Sequence, residues 1–376
     1  MIPFNKPYLT GNELVYIKEA YAYGQLSGDG YFTNKCHLWL RNYTKASRAL
    51  LTHSCTAALE IAGLLLNLKN GDEVIMPSFT FVSTANAIVL RGAVPIFVDI
   101  RADTLNIDES LIEEAITPRT KAIIVVHYAG VSCEMDKIKL IAKRNNIALI
   151  EDAAQGIVST YKGMPLGAIG DLGCFSFHET KNIYAGEGGC LIINNANYSE
   201  RAEILREKGT NRSRYLRGEV DKYTWTDIGS SYLPGELTAS FLYAQLEYSK
   251  EITIMRHAIW DRYYLGLKDL EEKGYIRLPV IPAECEHNAH LFYVILNECL
   301  DRNDFIQGLK LRGVHVVFHY VPLHDSFYYK SISTLPLNLP VTDLVGQQLV
   351  RLPLWIGVDA DRVIDAVRSQ IAQSYG

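Results

Sequence analysis

The stretch Ser176-Phe177-His178-Glu179-Thr180-Lys181, followed four residues later by the turn Gly186-Glu187-Gly188-Gly189, decides how this chain is read. Leu172 to Phe177 and Cys190 to Ile193 are apolar runs of strand length, so Lys181 stands on a loop between two core strands. A lysine taken alone is nearly always a solvated surface charge. An amine at a strand-to-loop junction, with a serine before it and a glycine-rich turn after it, is instead an arrangement that holds pyridoxal phosphate as a Schiff base.

Working outward, short apolar runs alternate with helical patterns. Glu73 to Met76, Val94 to Val98, Ala122 to Val126 and Ala148 to Glu151 read as buried strands, with Ile138 to Lys143 on an intervening helix. This alternation predicts an α/β fold with a mostly parallel sheet covered by helices. Asp152, in Glu151-Asp152-Ala153-Ala154-Gln155, then falls at a strand end where a ligand crevice opens. Arg206 to Tyr232 breaks the rhythm and reads as a long functional loop. Beyond it, Leu237 to Tyr248 and Ile252 to Leu267 read as helices, Leu291 to Leu296 and Val314 to Tyr320 as strands, and Asp359 to Ala372 as a helix. The expected division is a large cofactor-binding domain, residues 1–245, and a small C-terminal α/β domain, residues 246–376, with roughly the first 12 residues free to pack on the small one.

At 376 residues, 48% hydrophobic and 21% charged, the chain can bury a sizeable core. Its formal net charge of −5 gives no electrostatic reason to expect nucleic acid or an anionic membrane as partner. Seven scattered cysteines without metal-type pairing read as reduced thiols, and no run approaches the roughly 18 apolar residues of a membrane helix. A cytoplasmic protein without metal is the expectation.

Holding the cofactor requires a phosphate site, a ring platform, a carboxylate and the amine. Thr52-His53-Ser54-Cys55-Thr56-Ala57 leads from a strand into a helix whose first-turn N–H groups favour an anion; alone, it would read as an ordinary N-cap. Phe79-Thr80-Phe81 follows a strand end and offers an aromatic face, Phe79 reading as core. Asp152 is placed to pair with a pyridinium nitrogen. Arg212, Arg214 and Arg217, with Tyr215 between them, suit a nucleotide diphosphate, and a solvated charged loop is the even alternative. His127 reads as a satisfied strand-end histidine.

In order and spacing these pieces resemble the sugar aminotransferases of the DegT/StrS type, within the fold-type I, aspartate aminotransferase-like pyridoxal phosphate enzymes. Gly71-Asp72-Glu73-Val74-Ile75-Met76-Pro77-Ser78, Val126-His127-Tyr128-Ala129-Gly130, Arg206-Glu207-Lys208-Gly209-Thr210-Asn211-Arg212-Ser213 and Arg351-Leu352-Pro353-Leu354 carry the resemblance across the chain. It implies that Cys55, Thr56 and Ser176 contact the cofactor phosphate, that Phe81 stacks on the ring and that Gln155 reaches its oxygen. Lys181 forms the covalent link and moves the proton. The group usually has glycine where Cys55 stands, and a relative that dehydrates its sugar has histidine at the position of Lys181. His319 belongs to a histidine-bearing segment near the group's active site. Ser231, where asparagine is usual, is implied to reach the neighbour's phosphate in a homodimer with shared active sites. The implied reaction takes an amino group from L-glutamate to a nucleotide-linked ketosugar, closest to dTDP-4-keto-6-deoxy-D-glucose giving dTDP-4-amino-4,6-dideoxy-D-galactose, a precursor of enterobacterial common antigen. Transfer to C3, to another nucleotide-linked sugar, or a non-catalytic protein of the same fold are the alternatives.

Overall fold

In the computed structural model, which describes residues 1–333 and 337–375, the strands β1 (Arg48–Thr52), β2 (Glu73–Pro77), β3 (Val94–Val98), β4 (Thr120–Val126), β5 (Ala148–Asp152), β6 (Leu172–Ser176) and β7 (Gly189–Ile193) form a seven-stranded sheet. Their order is β1-β7-β6-β5-β4-β2-β3. Neighbours among β2 to β6 pair in parallel, whereas β7 runs antiparallel to both β6 and β1. The near-continuous apolar runs are explained by burial on both faces: every residue of β2, β6 and β7 is buried. Fully burying one such aliphatic side chain contributes about 1.5–3 kcal/mol.

Helix α1 (Cys55–Leu65) is apolar on nearly every side and packs into the core with Leu50, Val74, Ile124 and Leu191. Helix α2 (Val82–Val89) follows Phe81, whose extended backbone leads into it. The long helix α3 (Ser249–Glu272) leads to a second, three-stranded sheet of β8 (Ile276–Arg277), β9 (Phe292–Leu296) and β10 (Leu349–Leu352), in the order β8-β9-β10. Trp260, Tyr263 and Leu267 of α3 share a core with Phe292, Val294, Leu352 and Val367. Ile2 joins that core and pairs in parallel with Val314, while the indole of Trp355 donates to the carbonyl of Pro3 at 3.0 Å.

Two expectations of element type need correction. Val314 to Tyr320 makes only isolated bridges, Ile2 with Val314 and Val317 with Arg351, rather than a strand. Its alternating buried valines, Val314 and Val316, imitate strand period, but the chain then turns His319 and Tyr320 onto each other with ring centroids 3.6 Å apart. The stretch from Arg206 to Tyr232 is also not all loop: it contains a short helix, Arg212–Leu216, and bridges Glu207 with Ser231 and Thr210 with Trp225.

Candidate active site

The parallel strands of the large sheet end at one edge, where β7 begins, and residues at or after the ends of β1, β2, β4, β5 and β6 line a cavity of about 570 Å³. Ser54, Cys55, Thr56, Phe81, Asp152, Gln155, Ser176, Lys181 and His319 all border it. The residues on which the sequence reading rested are thus brought together from five separate chain segments.

At the end of β1, Ser54 caps α1: its side chain accepts from the N–H of Ala57 at 3.1 Å and its carbonyl from that of Ala58 at 3.3 Å. The N–H groups of Cys55 and Thr56 have no carbonyl a turn earlier to bond, so this end is a ready anion site. Gly189 makes the approach possible. A Cβ there would lie 2.3 Å from the carbonyl carbon of Ser54 and 2.4 Å from the nitrogen of Cys55, so only glycine allows the turn to press on this peptide. The hydroxyls of Thr56 and Ser83 stand 2.8 Å apart beside it, and Ser176, at the end of β6, accepts from the N–H of His178 at 3.4 Å.

Asp152 closes β5 and is buried. Its Oδ2 accepts from the Thr84 hydroxyl at 2.7 Å and its Oδ1 from the N–H of Ala154 at 3.2 Å. Burial pushes its carboxyl above the usual aspartate value, while Thr84, Ala154 and the Lys181 amine pull the other way. Among the described residues no cation forms an ion pair with it. Such a carboxylate calls for a cation from a ligand.

Burial likewise pushes the Lys181 amine below its ordinary value of 10.5, with Arg351 acting in the same sense and Cys55 and Asp152 against it. The shift favours the neutral, nucleophilic form. Burial holds the Cys55 thiol protonated, well above its usual range. Phe81 is 59% exposed and borders the cavity, whereas Phe79 is buried among Tyr128, His319 and Tyr320.

Gln155 is already engaged: its Oε1 accepts from the N–H of Ala129 at 2.6 Å and its Nε2 donates to the Tyr320 hydroxyl at 2.9 Å, leaving one amide hydrogen for a ligand. His319 Nδ1 lies 2.7 Å from the Tyr128 hydroxyl, and burial keeps this imidazole neutral. His127 is fully buried, with Nε2 2.9 Å from Glu151 and Nδ1 accepting from the N–H of Cys133 at 3.2 Å, as befits a satisfied histidine. His324 is tied to Ser78 and Asp343 and does not border the cavity.

Arg212, Arg214, Tyr215 and Ser231 are not part of the cavity wall. Arg214 pairs with Glu200 at 2.9 Å and Glu219 at 3.4 Å, Arg212 lies 4.0 Å from Glu207, and Tyr215 sits against Tyr223. Ser231 is exposed. Conversely, the wall includes residues that the sequence reading passed over: Phe4, Thr80, Ser83, Arg256, His290 and Arg351. Arg351 did leave a signal, being a cation inside the apolar strand Leu349-Val350-Arg351-Leu352.

A helix terminus opened by Gly189, an exposed aromatic face, a buried carboxylate without a cation and a lysine biased toward its neutral form fit the phosphate, ring, pyridinium nitrogen and aldehyde of pyridoxal phosphate. No helix among the described residues is long and apolar enough to cross a membrane, and none of their His, Cys, Asp and Glu side chains cluster as a metal site.

The sequence model of the DegT/DnrJ/EryC1/StrS aminotransferase family matches residues 7–369. A protein of Methanocaldococcus jannaschii, MJ1066, is 38% identical over 336 residues, covering 88% of this chain and 86% of its own. Among solved structures, Spr1654 from Streptococcus pneumoniae, described as a sugar aminotransferase and crystallised in its PMP form, superposes with a TM-score of 0.92 at 27% identity over 100% of both chains. The aminotransferase TlmJ from Streptoalloteichus hindustanus gives a TM-score of 0.90 at 30% identity over 99% of both chains.

Proposed function

This chain belongs to the DegT/DnrJ/EryC1/StrS aminotransferase family and is a pyridoxal phosphate-dependent sugar aminotransferase, and from that premise we propose that it transfers the amino group of L-glutamate to C4 of dTDP-4-keto-6-deoxy-D-glucose, forming dTDP-4-amino-4,6-dideoxy-D-galactose and 2-oxoglutarate. The observation that carries the catalytic part is the meeting of the Lys181 amine and the Asp152 carboxylate in one cavity with an open helix terminus. The sugar and nucleotide rest on the sequence stretches that resemble the transaminase forming dTDP-4-amino-4,6-dideoxygalactose.

In this reading the first turn of α1, through Cys55 and Thr56, and the hydroxyl of Ser176 bind the phosphate. Phe81 covers one ring face, Asp152 keeps the pyridine nitrogen protonated and Gln155 spends its remaining amide hydrogen on the ring oxygen. When bound, the cofactor supplies the electron sink and carries the amino group between donor and acceptor. Lys181 Nζ, biased toward its neutral form, takes the proton from the donor's α-carbon and later delivers one to C4 of the sugar from a single face, which sets the configuration. We further propose a cytoplasmic homodimer in which the exposed Ser231 reaches the neighbouring subunit's phosphate. Arg212 and Tyr215 meet the nucleotide there. Arg214 already spends its guanidinium on Glu200 and Glu219 and is the weakest of the three.

The deciding experiment is a product assay with glutamate and dTDP-4-keto-6-deoxyglucose, the amino sugar being identified by mass and NMR. An axial amine at C4 supports the galacto product and an equatorial one the gluco product. A glutamate-dependent spectral change with no amino sugar would move the search to 3-keto sugars and other nucleotide-linked acceptors.

A further inference from the structure

His290, on the wall of the cavity next to the small sheet, is held by one ring nitrogen and leaves the other free. It lies just before β9, borders the cavity and is only 9% exposed. Its Nδ1 stands 2.9 Å from Oδ1 of Asn182, the residue after Lys181. The amide nitrogen of Asn182 donates to the carbonyl of Asn288 at 2.7 Å, so the atom it turns to the imidazole is its oxygen. An amide oxygen only accepts, and Nδ1 must therefore carry the hydrogen. The neutral ring then has an unprotonated Nε2, and that atom has no partner among the described residues.

The backbone that carries the ring is fixed as well. Asn288 spends its two amide hydrogens on the carbonyls of Gln155 at 2.8 Å and Ile157 at 2.7 Å, and the Arg256 guanidinium donates to those of Ala289 at 3.0 Å and His290 at 2.7 Å. Burial keeps the imidazole neutral, and Lys181, Arg256 and Arg351 oppose a proton on it too. Nε2 is thus a standing hydrogen-bond acceptor on a wall whose guanidinium groups, Arg256 and Arg351, can only donate. An acceptor taken out of water calls for a ligand that brings it a hydrogen. The ammonium of an amino acid fits poorly, because the three cations that oppose a proton on His290 oppose that charge in the same way. A neutral hydroxyl meets no such opposition.

We propose that Nε2 of His290 accepts a hydrogen bond from the C3 hydroxyl of the acceptor sugar. In a 4-keto-6-deoxy sugar C3 is the one neighbour of the keto carbon that bears a hydroxyl, since C5 carries the methyl group and the ring oxygen. That hydroxyl comes near Lys181 whenever C4 does, and Asn182 fastens the imidazole to the loop that carries this amine. The bond orients the sugar ring about its keto carbon. Glutamate has no hydroxyl to offer and does not use it, so His290 serves the second half of the reaction alone. This inference rests on the reading of a 4-keto sugar as acceptor.

The test loads the purified holoenzyme with an amino group from glutamate, removes the donor, and adds dTDP-4-keto-6-deoxyglucose or its 3-deoxy analogue. His290→Asn keeps an amide hydrogen for Asn182 but has no atom at the position of Nε2, and His290→Gln returns an amide oxygen to that region. The wild type should show kcat/KM about 30-fold lower for the 3-deoxy sugar. His290→Asn should lose the same factor of about 30 on the parent sugar and no longer distinguish the two, with the glutamate half-reaction within about twofold of wild type and Tm unchanged. His290→Gln falls between. Calorimetry with the unreactive dTDP-6-deoxygalactose should show affinity about tenfold weaker in His290→Asn. A wild-type enzyme that aminates both sugars equally overturns the proposal without recourse to any variant. So does a His290→Asn enzyme that slows the glutamate half-reaction as much as the sugar step, since the residue would then only support the fold of the site. If the wild type aminates no dTDP-4-keto sugar at all, the acceptor assignment fails first and this proposal falls with it.

Discussion

The hydroxyl of Thr84 donates to Oδ2 of Asp152 at 2.7 Å, and because that spends its only hydrogen, the Thr80 hydroxyl 2.8 Å away must donate to Thr84 in turn. Thr80, just before α2, and Thr84, in its first turn, therefore form a directed relay that ends on the carboxylate. Replacing Thr84 by valine keeps the shape and removes the donor. Asp152 already sits above the usual carboxyl value because of burial, and losing this bond pushes it higher. Since the ionised form is the useful one, activity is lost as pH falls through the raised value. The acidic limb of the pH profile for the glutamate half-reaction should move up by about one pH unit. A limb that stays in place would remove Thr84 from the site.

Lys181→Ala should abolish turnover while leaving the fold and noncovalent cofactor binding intact, checked by product assay and thermal melting. In the wild-type apoprotein, the depressed amine should make capture of added pyridoxal phosphate reach its full rate at a pH well below 10.5, since the neutral form is populated earlier. A rate that keeps climbing up to that value would contradict the shift.

Asp152→Asn should cost more than Ser231→Ala. The first removes the charge proposed to keep the pyridine nitrogen protonated, with a loss of at least about 100-fold in kcat. The second removes the one hydrogen bond that Ser231 is proposed to make to the neighbouring subunit's phosphate, worth about 1 kcal/mol. Equal effects in parallel steady-state assays would refute the ranking.

Gly189→Ala should act through the phosphate site. Its new Cβ would meet Ser54 and Cys55 at 2.3 and 2.4 Å, so either β7 or the cap of α1 must shift. Overpacking of this kind costs about 1–3 kcal/mol. Calorimetry should show a lower Tm, and titration with pyridoxal phosphate a weaker Kd. By contrast, alanine at Gly163, where nothing lies within 4 Å, meets only the strain of its positive φ and should leave cofactor affinity unchanged.

Much of this site was legible because its parts are local in sequence. A run such as Ile147 to Ile150 ending on Asp152, or Phe177 leading to Lys181, states its own position at a strand end. Residues that act through distant partners were not legible. Thr84 looks like any helix threonine until Asp152 is seen beside it, and Arg351 looks like an edge-strand charge until Phe4 is found over it. The reversal of β7 was hidden as well, since an apolar strand reads alike in either direction. The short bridges that replace a strand at 314–320 have the same cause: alternation specifies which side chains are buried, and not whether a neighbouring strand is there to pair.

The pairing of Thr52 with Gly189 has a consequence for how the enzyme is made. The first and seventh strands of the sheet are neighbours in space but lie at opposite ends of the segment that builds it, so the proposed phosphate cradle joins residues far apart in sequence. Contacts of such long sequence separation slow folding and make it cooperative. No fragment short of Gly189 contains the cradle, so a nascent chain cannot form it before that residue has left the ribosome. Coenzyme uptake through this cradle therefore requires β1 and β7 to have paired, and bound coenzyme stabilises only molecules in which they have.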